Sequence, residues 1–329
     1  MNKLNLLSPL LFLSLFINSE DLFILGLGSC IDQDADQEKI WSSIKKEKID
    51  EFFFLGDNVY GDSKDGNLIK MRSAYKTQTK SLPTWLDEVS INAIWDDHDY
   101  GVNDGGSDYP KKDEAQELFL DFWNISETDP RSTREGIYFS KEVDLNGIKI
   151  KVIGLDTRYF RSPLEGDKRN RTATKDKRKT ILGKVQWKWL ENELSKEADM
   201  IILASSIQVI ANNHGFEKWG NFPHERTRLL ELLNQTKKTV IIVSGDRHKA
   251  GIYNMDNLIE ITSSSLNRPL PKWLATLWDS TKKETDEFLL GEMFYQTNYG
   301  IIKLSKDKKI TIQLKDEDAN ILNETFLYL

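Results

Sequence analysis

Residues 52–62 read FFFLGDNVYGD. Four apolar residues in a row make a buried strand, and Gly56-Asp57 closes it. Open α/β sheets keep their chemistry at the carboxyl ends of their strands, so Asp57 arrives at such an end with Tyr60 three positions later. A carboxylate and a phenol are oxygen ligands suited to a hard metal ion of high charge. A Gly-Asp pair after a strand also starts ordinary turns, so the reading depends on what the other strand ends carry.

Three further ends matter: Gly28-Ser29-Cys30, Trp95 to Asp99 (WDDHD) and Ser244 to His248 (SGDRH). Each follows a strand-like apolar stretch, at Leu22 to Leu27, Ile91 to Trp95 and Val240 to Val243. Together the tips hold one Cys, one Tyr, several Asp and two His, far apart in sequence. That pattern fits a site assembled from several βα loops. The closely paired Cys or His of a zinc finger are absent. Two metal ions bridged by a carboxylate are what this residue set suggests.

Composition narrows the class. Hydrophobic residues make up 39% and charged residues 29% of 329, enough for a large core and too apolar for disorder. A net charge of −7 argues against general nucleic-acid binding. It does not argue against an anionic substrate, because a metal cluster outweighs the global charge locally. Lys3 followed by the apolar run Leu4 to Ile17 and Asn18-Ser19 reads as a signal peptide over residues 1–19. That leaves residues 20–329 as one catalytic domain, secreted or periplasmic. The alternative for the run is a buried first strand or helix. No other segment has the length to span a bilayer. One cysteine excludes an internal disulfide. Cys30 is either a thiolate ligand or a small buried hydrophobe. Sequons start at Asn124, Asn170, Asn234 and Asn323, and carry glycans only in a eukaryotic secretory pathway.

Between the motifs the chain alternates as an α/β protein does. Helical spacing runs over 37–48, 68–82, 111–123, 182–194 and 223–233. Strands are expected at 137–139, 149–155 and 200–205, with Asn146-Gly147 a hairpin turn before the second. Three more are expected at 300–304, 310–314 and 325–329. Residues 161–179 hold eight Lys or Arg against three acidic residues, without apolar periodicity. They read as a solvated loop, or as a cleft flank that attracts anions. Trp187 and Trp189 are expected in the core.

GSC, LGDNVY, WDDHDYGVND, LDTRYFR, LGKVQWKWL, SSIQ, GFEKWGNFPHERTRLL and SGDRH occur in this order from about Leu22 to Ser265. The set resembles the alkaline phosphatase D (PhoD-like) family of metallophosphoesterases. The Gly-Asp-x-x-Tyr spacing is also similar to that of purple acid phosphatases. The resemblance implies an αββα metallophosphatase sandwich, two packed mixed sheets flanked by helices, and cleavage of phosphomonoesters, phosphodiesters or both. It makes Asp57 a bridging aspartate, Tyr60 a tyrosinate ligand and Cys30 the cysteine of an iron site. Asp97 stands at the superfamily's Gly-Asn-His asparagine, and Asp246 and His248 form the last ligand pair. It implies Fe3+ with Ca2+; the ligand types alone also accommodate Mn2+, Mg2+ or Zn2+.

Within that expectation His98 serves the leaving group, with Asp99 as its orienting partner or as a turn residue; a structural hydrogen-bonded histidine is the alternative. Arg158 is expected to hold phosphate oxygens bidentately, or to pair with a nearby acid. Asn103 and Asn221 are candidate substrate contacts, or turn residues. His224 is expected to start a helix and His214 to line the cleft. The expected reaction is direct attack of a metal-bound hydroxide on phosphorus. A phosphodiesterase or phospholipase for lipid headgroups or teichoic-acid-like polymers is the alternative enzyme. A noncatalytic metal- or phosphate-binding surface protein is the alternative of another class.

Overall fold

The FFFL run forms most of β2 (Glu51–Leu55), and its side chains divide by parity. Phe52 and Phe54 meet Trp41 of α1 (Glu38–Lys46) at 5.3 and 5.9 Å. Phe53 points the other way and reaches Phe139 at 5.9 Å. A strand covered on both faces needs no polar side, which is why the run is unbroken. The computed structural model describes residues 21–271 and 286–329. The expected signal peptide lies outside the described residues.

β2 sits between β1 (Asp21–Gly28) and β3 (Ser90–Ile94), parallel to both. The antiparallel strands β12 (Asn298–Ser305), β13 (Lys309–Asp316) and β14 (Ile321–Tyr328) extend this sheet from β1. The second six-stranded sheet runs β10 (Ala250–Met255), β11 (Leu258–Ser263), β9 (Thr239–Ser244), β8 (Met200–Ser205), β5 (Ile148–Gly154), β4 (Phe139–Leu145). Its four central strands are parallel. One apolar core fills the space between the sheets and extends under α1, α2 (Ile69–Ser81) and, past the single turn α3 (Asp97–Tyr100), α4 (Lys112–Phe122). Another lies under α5 (Gly183–Ser195) and α6 (Pro223–Gln235), with Trp187, Leu190 and Leu229 inward. This is the expected sandwich of two mixed sheets flanked by helices.

The helices fall within about two residues of their expected bounds. Asn146 and Gly147 take φ of 56° and 94°, as the tight β4–β5 hairpin requires. The strand expected at 137–139 begins instead at Phe139, because the Ile137 amide donates to the Asp156 carboxylate (2.9 Å) rather than to a ladder. Trp187 is buried as expected, while Trp189 is half-buried against Tyr138. The basic segment contains a hairpin, β6 (Glu165–Asp167) and β7 (Asn170–Thr172). It is pinned at its base: the Arg171 amide donates to the Gly215 carbonyl at 2.7 Å and the Arg171 guanidinium pairs with Asp104.

Candidate metal centre

The chain turns sharply after β1, β2 and β9, and the candidate ligands sit on the turns. Cys30, Asp57, Asp246 and His248 have φ of 56°, 52°, 68° and 51°. Non-glycine residues adopt this left-handed region seldom, and clusters of them mark functional sites. Gly56, at φ 98°, leaves no space for a side chain: a Cβ there would lie 2.6 Å from the Asp96 Cβ. This close approach brings the β2 and β3 ends together.

Asp57 is the hub. Its Oδ2 accepts from the Cys30 thiol and from the Tyr60 hydroxyl, both at 3.3 Å. The His98 amide donates to its Oδ1 at 3.4 Å. Burial, reinforced by Asp97 and Asp99, raises the Asp57 carboxyl to about 7 against the pull of His98. Burial and the Asp57 charge also push the Cys30 thiol and the Tyr60 phenol well above their ordinary values. Without a bound cation, these groups hold their protons.

Ligand atoms of Cys30, Asp57 and His248 lie within 4.8 Å of one another. So do those of Asp57, Asp97 and His98, and those of Asp96, Asp97 and Asp246. The three groups overlap at Asp57 and at Asp97, as a bridged pair of ions requires. Asp97 Oδ2 accepts from Asn103 Nδ2 (3.0 Å) and the Asp104 amide (2.7 Å), but its buried Oδ1 has no partner. A buried carboxylate oxygen left so is costly, and a cation satisfies it. The residues therefore fit metal. Asp96, beside Asp97 in WDDHD, joins the ligand groups although the motif alone does not mark it.

The two site histidines are held in opposite states. His248 Nδ1 lies 2.6 Å from the Arg268 carbonyl, which can only accept, so Nδ1 carries the proton and Nε2 presents a lone pair. Burial pushes its pKa down to about 4. That is the neutral form a metal takes. Burial also acts against His98⁺, yet Asp97, Asp57 and Asp62 outweigh it and hold its pKa well above the ordinary value. His98 Nδ1 contacts Asp62 Oδ1 at 2.7 Å. The orienting partner is thus Asp62, not Asp99. Asp99 is buried and accepts from the Asp96 amide (2.6 Å) and the Asn58 side chain (2.5 Å).

Two candidate substrate contacts are buried and take their alternative places, an acid pair and a turn. Arg158 is fully buried, gripping Asp96 with Nε (2.7 Å) and Nη2, and Glu217 with Nη1 (2.6 Å). Its guanidinium braces Asp96 and Glu217 and is not among the residues that line the cleft. Asn221 is buried too, with Oδ1 accepting from the Lys218 amide at 2.9 Å across a short 3-10 turn. Asn103 does face the cleft, a cavity of about 390 Å³ floored by Asp57, Asp97 and His98. Phe216, Leu270 and Tyr295 supply its apolar wall, and Lys168 and Arg169 its rim. His224 stands in the first turn of α6, bonded to the Lys179 carbonyl (2.7 Å). His214 is half-buried and does not line the cleft as expected; it lies 6.3 Å from the ring of Phe216, which does. A cavity of about 450 Å³ near Trp123 and Phe139, between the edge strands β3 and β4, is remote from these ligands.

The solved structure of PhoD is similar to this chain with a TM-score of 0.69 at 17% identity, covering 93% of this chain and 68% of that one. GAP50, the anchor in the inner membrane complex of Plasmodium, is similar at a TM-score of 0.61 and 13% identity, covering 93% of this chain and 89% of that one. Likeness at these identities shows a shared fold, and a fold hosts more than one function. Alkaline phosphatase D of Bacillus subtilis (strain 168) is 23% identical over 289 residues, 73% of this chain and 48% of the relative. The chain thus spans about half the length of that curated relative. The PhoD-like phosphatase model matches residues 70–287, well over half of the chain, which carry Asp97, Asp246 and His248. By that match, the chain belongs to the PhoD-like phosphatase family.

Proposed function

We propose that this chain hydrolyses phosphate esters, monoesters, diesters or both, at a pair of metal ions. The observation that carries the reading is the overlap of three ligand groups at Asp57 and Asp97, with a buried carboxylate oxygen left unpartnered. Cys30, Asp57, Tyr60 and His248 hold one ion, and Asp57, Asp97 and Asp246 the other, with Asp96 beside them. The thiol and phenol favour Fe3+ at the first position, and the carboxylates favour Ca2+ at the second. When bound, the ions supply Lewis-acid chemistry, acidifying water and polarising the phosphoryl oxygens.

The chain's own residues do the rest. His98, held protonated and oriented by Asp62, donates its proton to the leaving oxygen. Asn103 keeps Asp97 in place and faces the phosphoryl group. Arg158 and Glu217 fix Asp96 from behind. The apolar wall accommodates an ester's organic part. Export through the N-terminal segment, with cleavage after Ser19, belongs to the same reading, and N-terminal sequencing of secreted protein tests it.

The decisive experiment loads purified protein with metal, measures its iron and calcium, and assays p-nitrophenyl phosphate and bis-p-nitrophenyl phosphate. Turnover of either, abolished by chelation and by Asp57→Asn, supports the reading. A fully loaded protein that hydrolyses neither defeats it.

A further inference from the structure

We propose that the tip of the β6–β7 hairpin, Lys168 and Arg169, forms a second anion subsite that selects phosphate esters carrying another negative group. The inference deepens the phosphoesterase reading and rests on it. Both residues are exposed and line the cleft that holds Asp57, Asp97 and His98. Lys168 Nζ lies 3.4 Å from Asn103 Oδ1, and the same amide's Nδ2 lies 3.0 Å from Asp97 Oδ2. One amide group therefore separates the Lys168 ammonium from a candidate metal ligand. A phosphoryl group at the ligands leaves this cation for whatever comes next along the substrate.

The other charges around the tip are already engaged: Arg247 and Lys249, cations of the same cleft, are buried, with Arg247 over the Phe216 ring and Lys249 over that of Tyr295. Asp104 pairs with Arg171, and Glu217 with Arg158 and Arg161. Asp57, Asp97 and Asp246 belong to the ligand groups. Among the described residues, neither Lys168 nor Arg169 has a carboxylate partner. The hairpin is also not a loose loop. Its far strand is bonded to the Gly215 carbonyl, Thr174 Oγ1 donates to Glu165 (2.6 Å), and the Thr174 amide donates to the Asn221 carbonyl (2.9 Å). Two long cationic side chains on a pinned turn face an open cleft. Their flexible stems suit an anion of variable position, and their charge also steers anions inward.

Fructose 1,6-bisphosphate and fructose 6-phosphate, which differ by one phosphoryl group, are the probes. Parent protein is expected to favour the bisphosphate about tenfold in kcat/KM, chiefly through KM, as two exposed charge contacts allow. Having two cleavable groups explains only about twofold of that. The double variant Lys168→Ala/Arg169→Ala is expected to bring the ratio down to this twofold, while Lys168→Arg/Arg169→Lys preserves most of it. Raised salt should compress the ratio in the parent. Unchanged metal content and circular dichroism confirm that the variants are folded, as expected of exposed residues. A parent ratio near two, or a tenfold ratio that survives the double alanine change, overturns the subsite. Should no phosphate ester be turned over, the phosphoesterase reading itself has failed. Calorimetric titration of the same two sugars into metal-loaded protein then judges the subsite alone: equal affinities reject it, and tighter bisphosphate binding lost in the double variant upholds it.

Discussion

Replacing Arg158 by methionine separates two roles that sequence alone left open. The methionine fills most of the volume but removes the charge between Asp96 and Glu217. Breaking a buried pair from one side costs about 3–5 kcal/mol, since the remaining charge is left uncompensated. Glu217 keeps Arg161 (2.9 Å), and Asp96 keeps the Ser206 hydroxyl (2.5 Å), so the loss should lie in that range rather than double it. In a chain of this size, that lowers the unfolding midpoint by roughly 5–8 °C. The metal-free protein should suffer more than the loaded one, because bound cations near Asp96 offset part of the stranded charge. Urea unfolding of both forms, beside kcat and KM, measures it. Stability within about 1 kcal/mol of the parent, combined with a tenfold rise in KM at constant kcat, would refute the bracing role and restore a substrate clamp.

Asp62→Asn should lower kcat about 10- to 100-fold for alkyl phosphates and far less for p-nitrophenyl phosphate, whose leaving group needs no proton; equal losses on both would remove Asp62 and His98 from leaving-group protonation. Metal affinity should rise with pH. Asp57 keeps its proton below about 7 and must release it to a cation, as must the Cys30 thiol and the Tyr60 phenol, so affinity at their shared position falls at least tenfold per pH unit below that point and continues to rise with pH above it. His248, neutral down to about 4, adds nothing in that window. Titrations of metal-free protein at pH 6 and pH 8 that give equal affinities would contradict this. Iron-loaded protein should be coloured, with the absorption band shifted by Tyr60→Phe and iron content reduced by Cys30→Ser; a colourless dizinc protein indifferent to both changes would overturn the iron assignment.

The parallel strands were legible because burial on both faces writes them as unbroken apolar runs, FFFL and VIIV among them. β11 was not, because Glu260 stands in its middle. That carboxylate is buried and accepts from the Val209 amide (2.9 Å) and the Ser244 hydroxyl (2.7 Å). Nothing local in the sequence announces those partners. The same limit explains Asp62 and Arg158. Each candidate ligand follows a recognisable strand, whereas the identity of a second partner depends on which loop lies across the cleft. Arg158 looked like a clamp because it shares the strand-end position of the ligands; its commitment to Glu217, 59 residues on, appears only in three dimensions.

Left-handed backbone at Cys30, Asp57, Asp246 and His248 costs on the order of 1 kcal/mol per residue, whether or not an ion is present. Such a conformation persists only where the surrounding sheets impose it. The sheets and cores that impose it are built almost entirely from residues other than the ligands, which predicts that folding does not wait for metal, unlike in small domains that are unfolded until zinc arrives. Metal-free protein should keep its native sheet signals and bind cations in a single fast phase, with no refolding step before it.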